Sequence, residues 1–300
     1  TKNCLDIMDV SIIIINYNTK EITRACIDSV FKYTKGVSFE IILVDNASSD
    51  GSKELFEQDS RIRYIYETTN HGFGVANNIG AAVASGDTVF LLNSDTLLHE
   101  DSCTILYNLL TSMPKVGVVG PIMVDEIGNN NGSYYPFRNC NLFERIKFRL
   151  YQKKIKKRIE ENFSRNGFIY TGYVSGAALM MYRDLFNKVG GFDPDFFMYY
   201  EEQDLQKRIA DLGYERVSTN KTKIYHIHGF SSNNFVPSHK IRVRQKSLHL
   251  YGKKHFSGLQ YVLFRFLNFV GLSISLVESS KYKWRERISL LRDEYMGYPK

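Results

Sequence analysis

Val10-Ser-Ile-Ile-Ile-Ile-Asn-Tyr-Asn18 and, further on, Glu40-Ile-Ile-Leu-Val-Asp45 are short apolar runs rich in β-branched residues, each closing on polar ones. An apolar run without alternation describes a strand buried on both faces, the kind found in a parallel sheet covered by helices. Between the two runs Ile22, Cys26, Val30 and Tyr33 recur at helical spacing. After Asp45 a turn rich in Asn, Ser, Asp and Gly leads to a short helix near residues 53–58 and a strand at 62–66. The back part of a further helix at 77–85, closed by Gly86, and a strand at 88–92 continue the alternation. Strands alternating with helices predict βαβ units and an α/β fold, with a mostly parallel central sheet flanked by helices.

Beyond Val116-Gly-Val-Val119 the pattern loosens. Residues 129–133 read as a polar loop and 145–158 as a basic helix. Order returns with a strand at 177–182 and a helix at 201–212, and past Pro237 the chain reads as helical only. The expected organisation is an α/β unit over residues 1–236 and a C-terminal helical extension over 237–300.

A chain of 300 residues with ordinary apolar and charged fractions is neither disordered nor fibrous. Cys4, Cys26, Cys103 and Cys140 lie far apart without a CxxC pair, so neither a zinc ribbon nor a disulfide framework is expected. No basic-then-apolar leader opens the sequence, and the expected compartment is the cytoplasm. The net charge of +7 is unevenly placed: basic residues crowd 145–158 and recur after Lys240, which suits phosphates or an anionic membrane as readily as a solvated helix face.

Ligands of open α/β sheets bind beyond the carboxyl ends of the strands. Three such ends are polar here: Asn16-Tyr17-Asn18, Asp45-Asn46 and Asn93-Ser94-Asp95. Together they suggest a nucleotide-sized pocket. Asp95 offers a hard oxygen ligand to Mg2+ or Mn2+, although an N-cap or Asx turn would use the same residue. Phe197-Met-Tyr-Tyr-Glu-Glu-Gln-Asp204 sets Glu201, Glu202 and Asp204 behind an aromatic run. Acids there complement a helix dipole, and apolar walls would also raise a carboxyl towards a useful base. In Tyr225-His226-Ile-His228, two histidines at alternate strand positions would share one face.

These segments, in order, resemble glycosyltransferase family 2, in particular its rhamnosyltransferase-like bacterial members with the GT-A (Rossmann-like) fold. The resemblance covers residues 10–232. Besides the strand ends, it rests on Val44-Asp-Asn-Ala-Ser-Ser-Asp-Gly-Ser52, Asn70-His-Gly-Phe-Gly-Val-Ala-Asn-Asn-Ile-Gly80, Gly176-Ala-Ala-Leu-Met-Met181, Gly190-Gly-Phe-Asp193 and Tyr200-Glu-Glu-Gln-Asp-Leu205. It implies that Asp45 contacts the base or ribose and that Asp95 is the last acid of the metal-binding DxD motif. Glu202 becomes the general base, with Glu201 as the fallback, and His226 binds metal or diphosphate. Asn16, Tyr17, Asn18, Asn70, Gly72, Asn77, Asn93 and Ser94 complete the expected nucleotide-sugar site, while Gly176, Tyr200 and Asp204 belong to the acceptor side or pocket wall. Two departures stand out: Asn93 replaces the first Asp of the fuller motif, and Glu202 stands where Asp is commoner.

The implied activity is an inverting, metal-dependent transfer, with Mn2+ or Mg2+, of a sugar from a nucleoside diphosphate to a hydroxyl of a lipid-linked saccharide, in cell-surface polysaccharide synthesis. dTDP-rhamnose is the favoured donor, and a UDP-sugar or a non-catalytic nucleotide-sugar binder is the alternative. A nucleic-acid partner is not expected. An NAD-dependent oxidoreductase fits poorly, because Gly72-Phe-Gly74-Val-Ala-Asn77 puts Asn where the dinucleotide fingerprint needs Gly or Ala. Residues 259–277 are almost wholly apolar, with Arg265, Asn268, Ser275 and Ser279 as a polar stripe and Lys253, Lys254, Lys281, Lys283, Arg285 and Arg287 at the flanks. A helix lying in the membrane interface is therefore expected rather than a span, on a peripheral enzyme at the inner face of the plasma membrane. A packed helical appendage or homodimer contact is the competing use.

Overall fold

The computed structural model describes residues 8–130, 132–136, 142–227, 237–278 and 284–296. The elements in chain order are β1 (Val10–Asn16), α1 (Lys20–Tyr33), β2 (Phe39–Asn46), α2 (Ser52–Phe56), β3 (Arg63–Glu67), α3 (Phe73–Ala82), β4 (Thr88–Asn93), β5 (Thr96–Leu98), α4 (Ser102–Thr111) and β6 (Val116–Val124). Then follow β7 (Tyr134–Tyr135), α5 (Leu142–Asn166), β8 (Phe168–Thr171), β9 (Tyr173–Val174), β10 (Ala178–Tyr182), α6 (Arg183–Lys188), α7 (Glu201–Asp211), β11 (Glu215–His226), α8 (Pro237–His255), α9 (Gly258–Glu278) and α10 (Trp284–Met296).

A nine-stranded sheet runs in the order β3-β2-β1-β4-β10-β6-β11-β5, with β8 also pairing β11. The strands β3, β2, β1 and β4 are mutually parallel, β10 enters antiparallel between β4 and β6, and β6 and β11 are parallel. β7 and β9 form a separate two-stranded ribbon. In β1 the register pairs Asn16 with Asp45 and Ile15 with Asn93, so three polar strand ends finish side by side.

The apolar runs are explained by a core on each face. Ile12 and Ile14 pack on one side with Leu43, Phe90, and Cys26 and Val30 of α1, together with Leu106 of α4. Ile13 packs on the other with Ile42, Val44, Leu91, Ala76 of α3 and Leu205 and Ile209 of α7. Each fully buried Ile or Leu contributes about 1.5–3 kcal/mol relative to exposure. On that second face α3 lies so near the sheet that a Cβ on Gly80 would stand 2.6 Å from Ile13 Cγ2. α3 starts at Phe73, ahead of the back part expected at 77–85, and ends at Ala82 rather than Ser85.

The C-terminal helices are tied to the sheet-bearing part through α8. Leu248 and Tyr251 of α8 bury against Phe196 and Tyr200, and Ser247 Oγ donates to Met198 O at 2.8 Å. Within the extension the polar stripe of α9 points inward. Asn268 Nδ2 donates to Gln245 Oε1 and Glu294 Oε1, both at 2.8 Å, and an Arg265 guanidinium nitrogen donates to Tyr295 O at 3.0 Å. The Ser275 side chain and Ser279 lie outside the described residues, as do Cys4 and Cys140, while Cys26 and Cys103 are buried free thiols. Among the described residues no helix is long and apolar enough to cross a membrane.

Candidate active site

A cleft of about 450 Å3 opens beyond the carboxyl ends of β1, β2 and β4. Tyr17, Asn46, Asn93, Ser94 and Asp95 come from those strand ends, and Asn70, Gly72 and Phe73 from the loop before α3. The opposite wall is Ser175, Gly176 and Ala177 before β10 and the segment carrying Phe197, Met198, Tyr199, Glu201 and Glu202, with His226 closing one end. The volume lies within the range of small-molecule sites.

The loop before α3 is held by Asn46. Its Nδ2 donates to Asn70 Oδ1 at 2.8 Å and its Oδ1 accepts from His71 N at 3.0 Å. Asn70 Oδ1 also accepts from Gly72 N at 2.9 Å, a local turn that leads into Gly72 with φ 82° and ψ 175°. Only glycine occupies that region without strain. The resulting close approach lets Phe73 N donate to Phe197 O at 3.1 Å, joining the two sides of the cleft.

At the metal-suited end, Asp95 Oδ1 stands 3.3 Å from His226 Nε2. Both are positioned by backbone: Ile227 N donates to Asp95 O at 2.9 Å, and His226 pairs with Thr96 in β5. Asn93 Oδ1 beside them is buried and has no hydrogen-bond partner, an acceptor left for a ligand, a water or a cation. Among the described residues no cluster of three or more His, Cys, Asp or Glu forms a complete metal cage. A cation here would need oxygens from a ligand.

Ahead of α7, Tyr199 and Tyr200 take φ of 69° and 71° in succession. Left-handed conformations on non-glycine residues cost roughly 1–2 kcal/mol each. Their effect is to swing Tyr200 away and deliver Glu201 and Glu202 into the cleft at the first turn of α7. Burial pushes the Glu201 carboxyl well above its ordinary range, and the neighbouring Glu202 charge adds to it. Burial likewise raises Glu202, although backbone and side-chain hydrogen bonds at the helix start oppose it. Glu201 Oε2 is buried with no hydrogen-bond partner. Gly176 leaves room for Glu202: a Cβ there would meet Glu202 Cβ at 3.2 Å. Of two acids so paired, the one left charged can take a proton from a hydroxyl.

A family model described as glycosyl transferase family 2 matches residues 11–190, more than half of the chain. The chain belongs to glycosyltransferase family 2. It is 25% identical over 243 residues to an N-acetylglucosaminyl-diphospho-decaprenol L-rhamnosyltransferase of Mycobacterium tuberculosis, covering 73% of this chain and 76% of that one. It is 28% identical over 130 residues to the Streptococcus pneumoniae glycosyltransferase GlyG, covering 42% of this chain and only 43% of that protein's length. Among solved structures, that of GalNAc-T7 with UDP, GalNAc and Mn2+ matches 97% of this chain and 55% of its own at a TM-score of 0.66 and 13% identity, which shows the shared GT-A fold.

Of the residues expected in the site, Tyr17, Asn70, Gly72, Asn93, Ser94, Asp95, Gly176, Glu201, Glu202 and His226 line the cleft. His228 lies outside the described residues. Six others do not line it. Asp45 is fully buried below the floor. Its carboxylate accepts from Asn16 Nδ2 at 3.2 Å, Tyr64 OH at 3.0 Å and Ser48 N at 2.8 Å, so it braces the strand ends instead of meeting a base. Asn16, equally buried, also accepts from Thr19 and Thr23 hydroxyls. Asn77 turns back on its own helix, donating to Phe73 O at 2.9 Å. Tyr200 packs instead on Tyr251 of α8, the two rings tilted by 43° with centroids 6.0 Å apart. Asp204 is buried between Arg208, at 2.7 Å, and His255, at 2.8 Å. Asn18, with φ 54°, also points elsewhere, its Oδ1 accepting from Ser49 N. The sequence reading put Asn46 at a polar strand end and Phe197 and Tyr199 in an aromatic wall, but gave no site role to Ile15, Phe73, Ser175, Ala177 or Met198. That Asn46 faces the cleft follows from strand alternation: when Asp45 points inward its neighbour points the other way.

Proposed function

We propose that the protein transfers a sugar from a nucleoside diphosphate to a hydroxyl of a saccharide acceptor, with inversion at the anomeric carbon. One observation carries this reading: an Asp–His pair and a pair of acids with raised pKa line a single cleft. The acceptor hydroxyl gives its proton to Glu202 as its oxygen forms the new bond to the anomeric carbon, and the bond to the diphosphate breaks on the opposite face. A single displacement of this kind inverts configuration. Burial raises both carboxyls and the Glu202 charge adds to the shift at Glu201, so the two titrate as a coupled pair, with Glu202 assigned as the base and Glu201 as the fallback.

The donor set fits Mn2+ or Mg2+: one carboxylate and one imidazole in reach of each other, with Asn93 Oδ1 adjacent and the diphosphate left to supply the remaining oxygens. Asp95 and His226 would hold the ion, which when bound offsets the charge of the departing diphosphate as a Lewis acid. Tyr17, Asn46, Asn93 and Ser94 line the same cleft and would meet the nucleoside diphosphate. The mycobacterial relative's name, an L-rhamnosyltransferase acting on an N-acetylglucosaminyl-diphospho-decaprenol, favours rhamnose as the sugar and a lipid-linked saccharide as the acceptor; we take dTDP-rhamnose as the donor and cell-surface polysaccharide synthesis as the setting, with a UDP-sugar as the second reading.

A panel of nucleotide sugars, scored by shift in melting temperature with and without Mn2+, tests the donor class. A rise with dTDP- or UDP-sugars that grows with Mn2+ is expected. No shift with any nucleotide sugar, or the same shift in the Asp95→Asn variant, would count against it.

A further inference from the structure

The outward face of α9 is the reverse of what a solvent-facing helix should present. Leu259, Val262, Leu263, Phe266, Leu267, Val270 and Ile274 are between 38% and 82% exposed. At 100° per residue they fall on one arc of roughly 140°. The polar residues Arg265 and Asn268 lie on the other side, engaged with α8 and α10. Water therefore meets the apolar face while hydrogen bonds hold the inner one. Contiguous apolar patches of this kind on soluble surfaces mark contact sites.

α10 adds to the same surface in character. Trp284, Ile288 and Tyr295 are exposed, and Tyr295 reaches α9 through an edge contact with Phe269. Trp and Tyr have the apolar body and polar tip that suit a membrane–water boundary. Charge points the same way. Residues 237–300 contain thirteen Lys and Arg against four Asp and Glu, whereas the first 236 residues contain 26 against 28. The whole positive balance of the chain sits in the extension. Arg244, Lys246, Lys253, Arg285 and Arg292 are exposed there.

We propose that α9 and α10 dock the protein on an anionic phospholipid surface, with the α9 apolar arc lying in the interface and the exposed basic residues meeting headgroup phosphates. An apolar stripe sets the depth and the basic residues set the preference for anionic lipid. A self-contact would have to bring two copies of this strongly basic extension together, so charge favours the lipid. Docking also has a fixed relation to the site. α8, packed beneath α9, holds the segment that delivers Glu201 and Glu202 through Ser247 to Met198 O, Lys254 to Asp193 and Asp195, and His255 to Asp204.

The test uses the full chain in sedimentation with sucrose-loaded vesicles of phosphatidylcholine alone or mixed with phosphatidylglycerol. The expected result is binding to the mixed vesicles, weaker binding to phosphatidylcholine, and release at high salt. Phe266→Glu combined with Val270→Glu should lower partitioning by at least about tenfold. Both side chains point away from the core, so an unchanged melting temperature checks that the variant folds. Arg285→Glu with Arg292→Glu should abolish the preference for anionic lipid. Wild-type protein that stays in the supernatant with both vesicles would overturn the proposal, as would equal binding by the apolar variant. A dimer that dissociates in the Phe266/Val270 variant, without vesicle binding, would assign the face to a second copy instead.

Discussion

Gly72→Ala probes the contact that holds the two walls of the cleft together. The residue's φ of 82° and ψ of 175° belong to glycine, and forcing alanine there costs about 1–3 kcal/mol in backbone strain. The added Cβ would also stand 2.2 Å from Phe197 O, where a carbon–oxygen contact needs roughly 3.3 Å. The carbonyl must retreat by about 1 Å, and it is the acceptor for Phe73 N at 3.1 Å. Losing that bond adds about 1 kcal/mol, for a total near 2–4 kcal/mol. Gly190→Ala is the matched control. It too has a positive φ, of 79°, but a Cβ there meets nothing within 4 Å, so only the conformational cost of roughly 1–2 kcal/mol applies. Thermal unfolding and nucleotide-sugar binding should be measured on both. Gly72→Ala should melt about 5 °C or more below wild type and bind donor weakly, because Asn70 and Phe197 both line the cleft. Gly190→Ala should melt between the two and bind normally. If both variants melt alike and both bind donor as wild type does, the loop-to-loop contact does not hold the site.

Glu201→Gln should stabilise the protein at neutral pH while slowing turnover. With its pKa raised above the ordinary 4.5, folded Glu201 retains a proton that the unfolded chain has lost, so wild-type stability falls as pH rises through that window. The variant's melting temperature should match wild type below about pH 4.5 and exceed it above; identical curves would remove the buried acid from the account. Asp204→Asn breaks the contacts to Arg208 and His255 and should cost about 3 kcal/mol in denaturant unfolding; a loss within error would mean the triad does not hold α7. His226→Ala should abolish the Mn2+-dependent part of the donor-induced melting shift and leave the metal-free part, whereas an unaltered Mn2+ effect would place the ion elsewhere.

The parallel half of the sheet was legible because burial on both faces writes itself as unbroken apolar runs, as in β1 and β2. The short pieces β5, β7 and β9 were not, since two or three residues carry no period. Nor does sequence say that β10 runs antiparallel to β4; tertiary pairing decides it. Asp95, Glu201, Glu202 and His226 line the cleft, as residue types suited to metal and proton chemistry suggested. That Asn46 and not Asp45 faces it could not be read, because the facing of a strand end depends on which phase of the alternation meets the core. Asp204 was misplaced for a different reason: its partner His255 lies 51 residues away on α8, beyond any local pattern. The paired left-handed tyrosines that aim the acids were also invisible, as nothing in Tyr199-Tyr200 favours that conformation.

The division of labour between the two acids is the centre of the account, and single-turnover donor consumption with Glu202→Gln tests it most directly. Donor affinity should remain near wild type, while transfer and background hydrolysis of the nucleotide sugar fall by at least about 100-fold, and the residual rate should lose its dependence on pH. Turnover at the wild-type rate in that variant would contradict the assignment of Glu202 as the base.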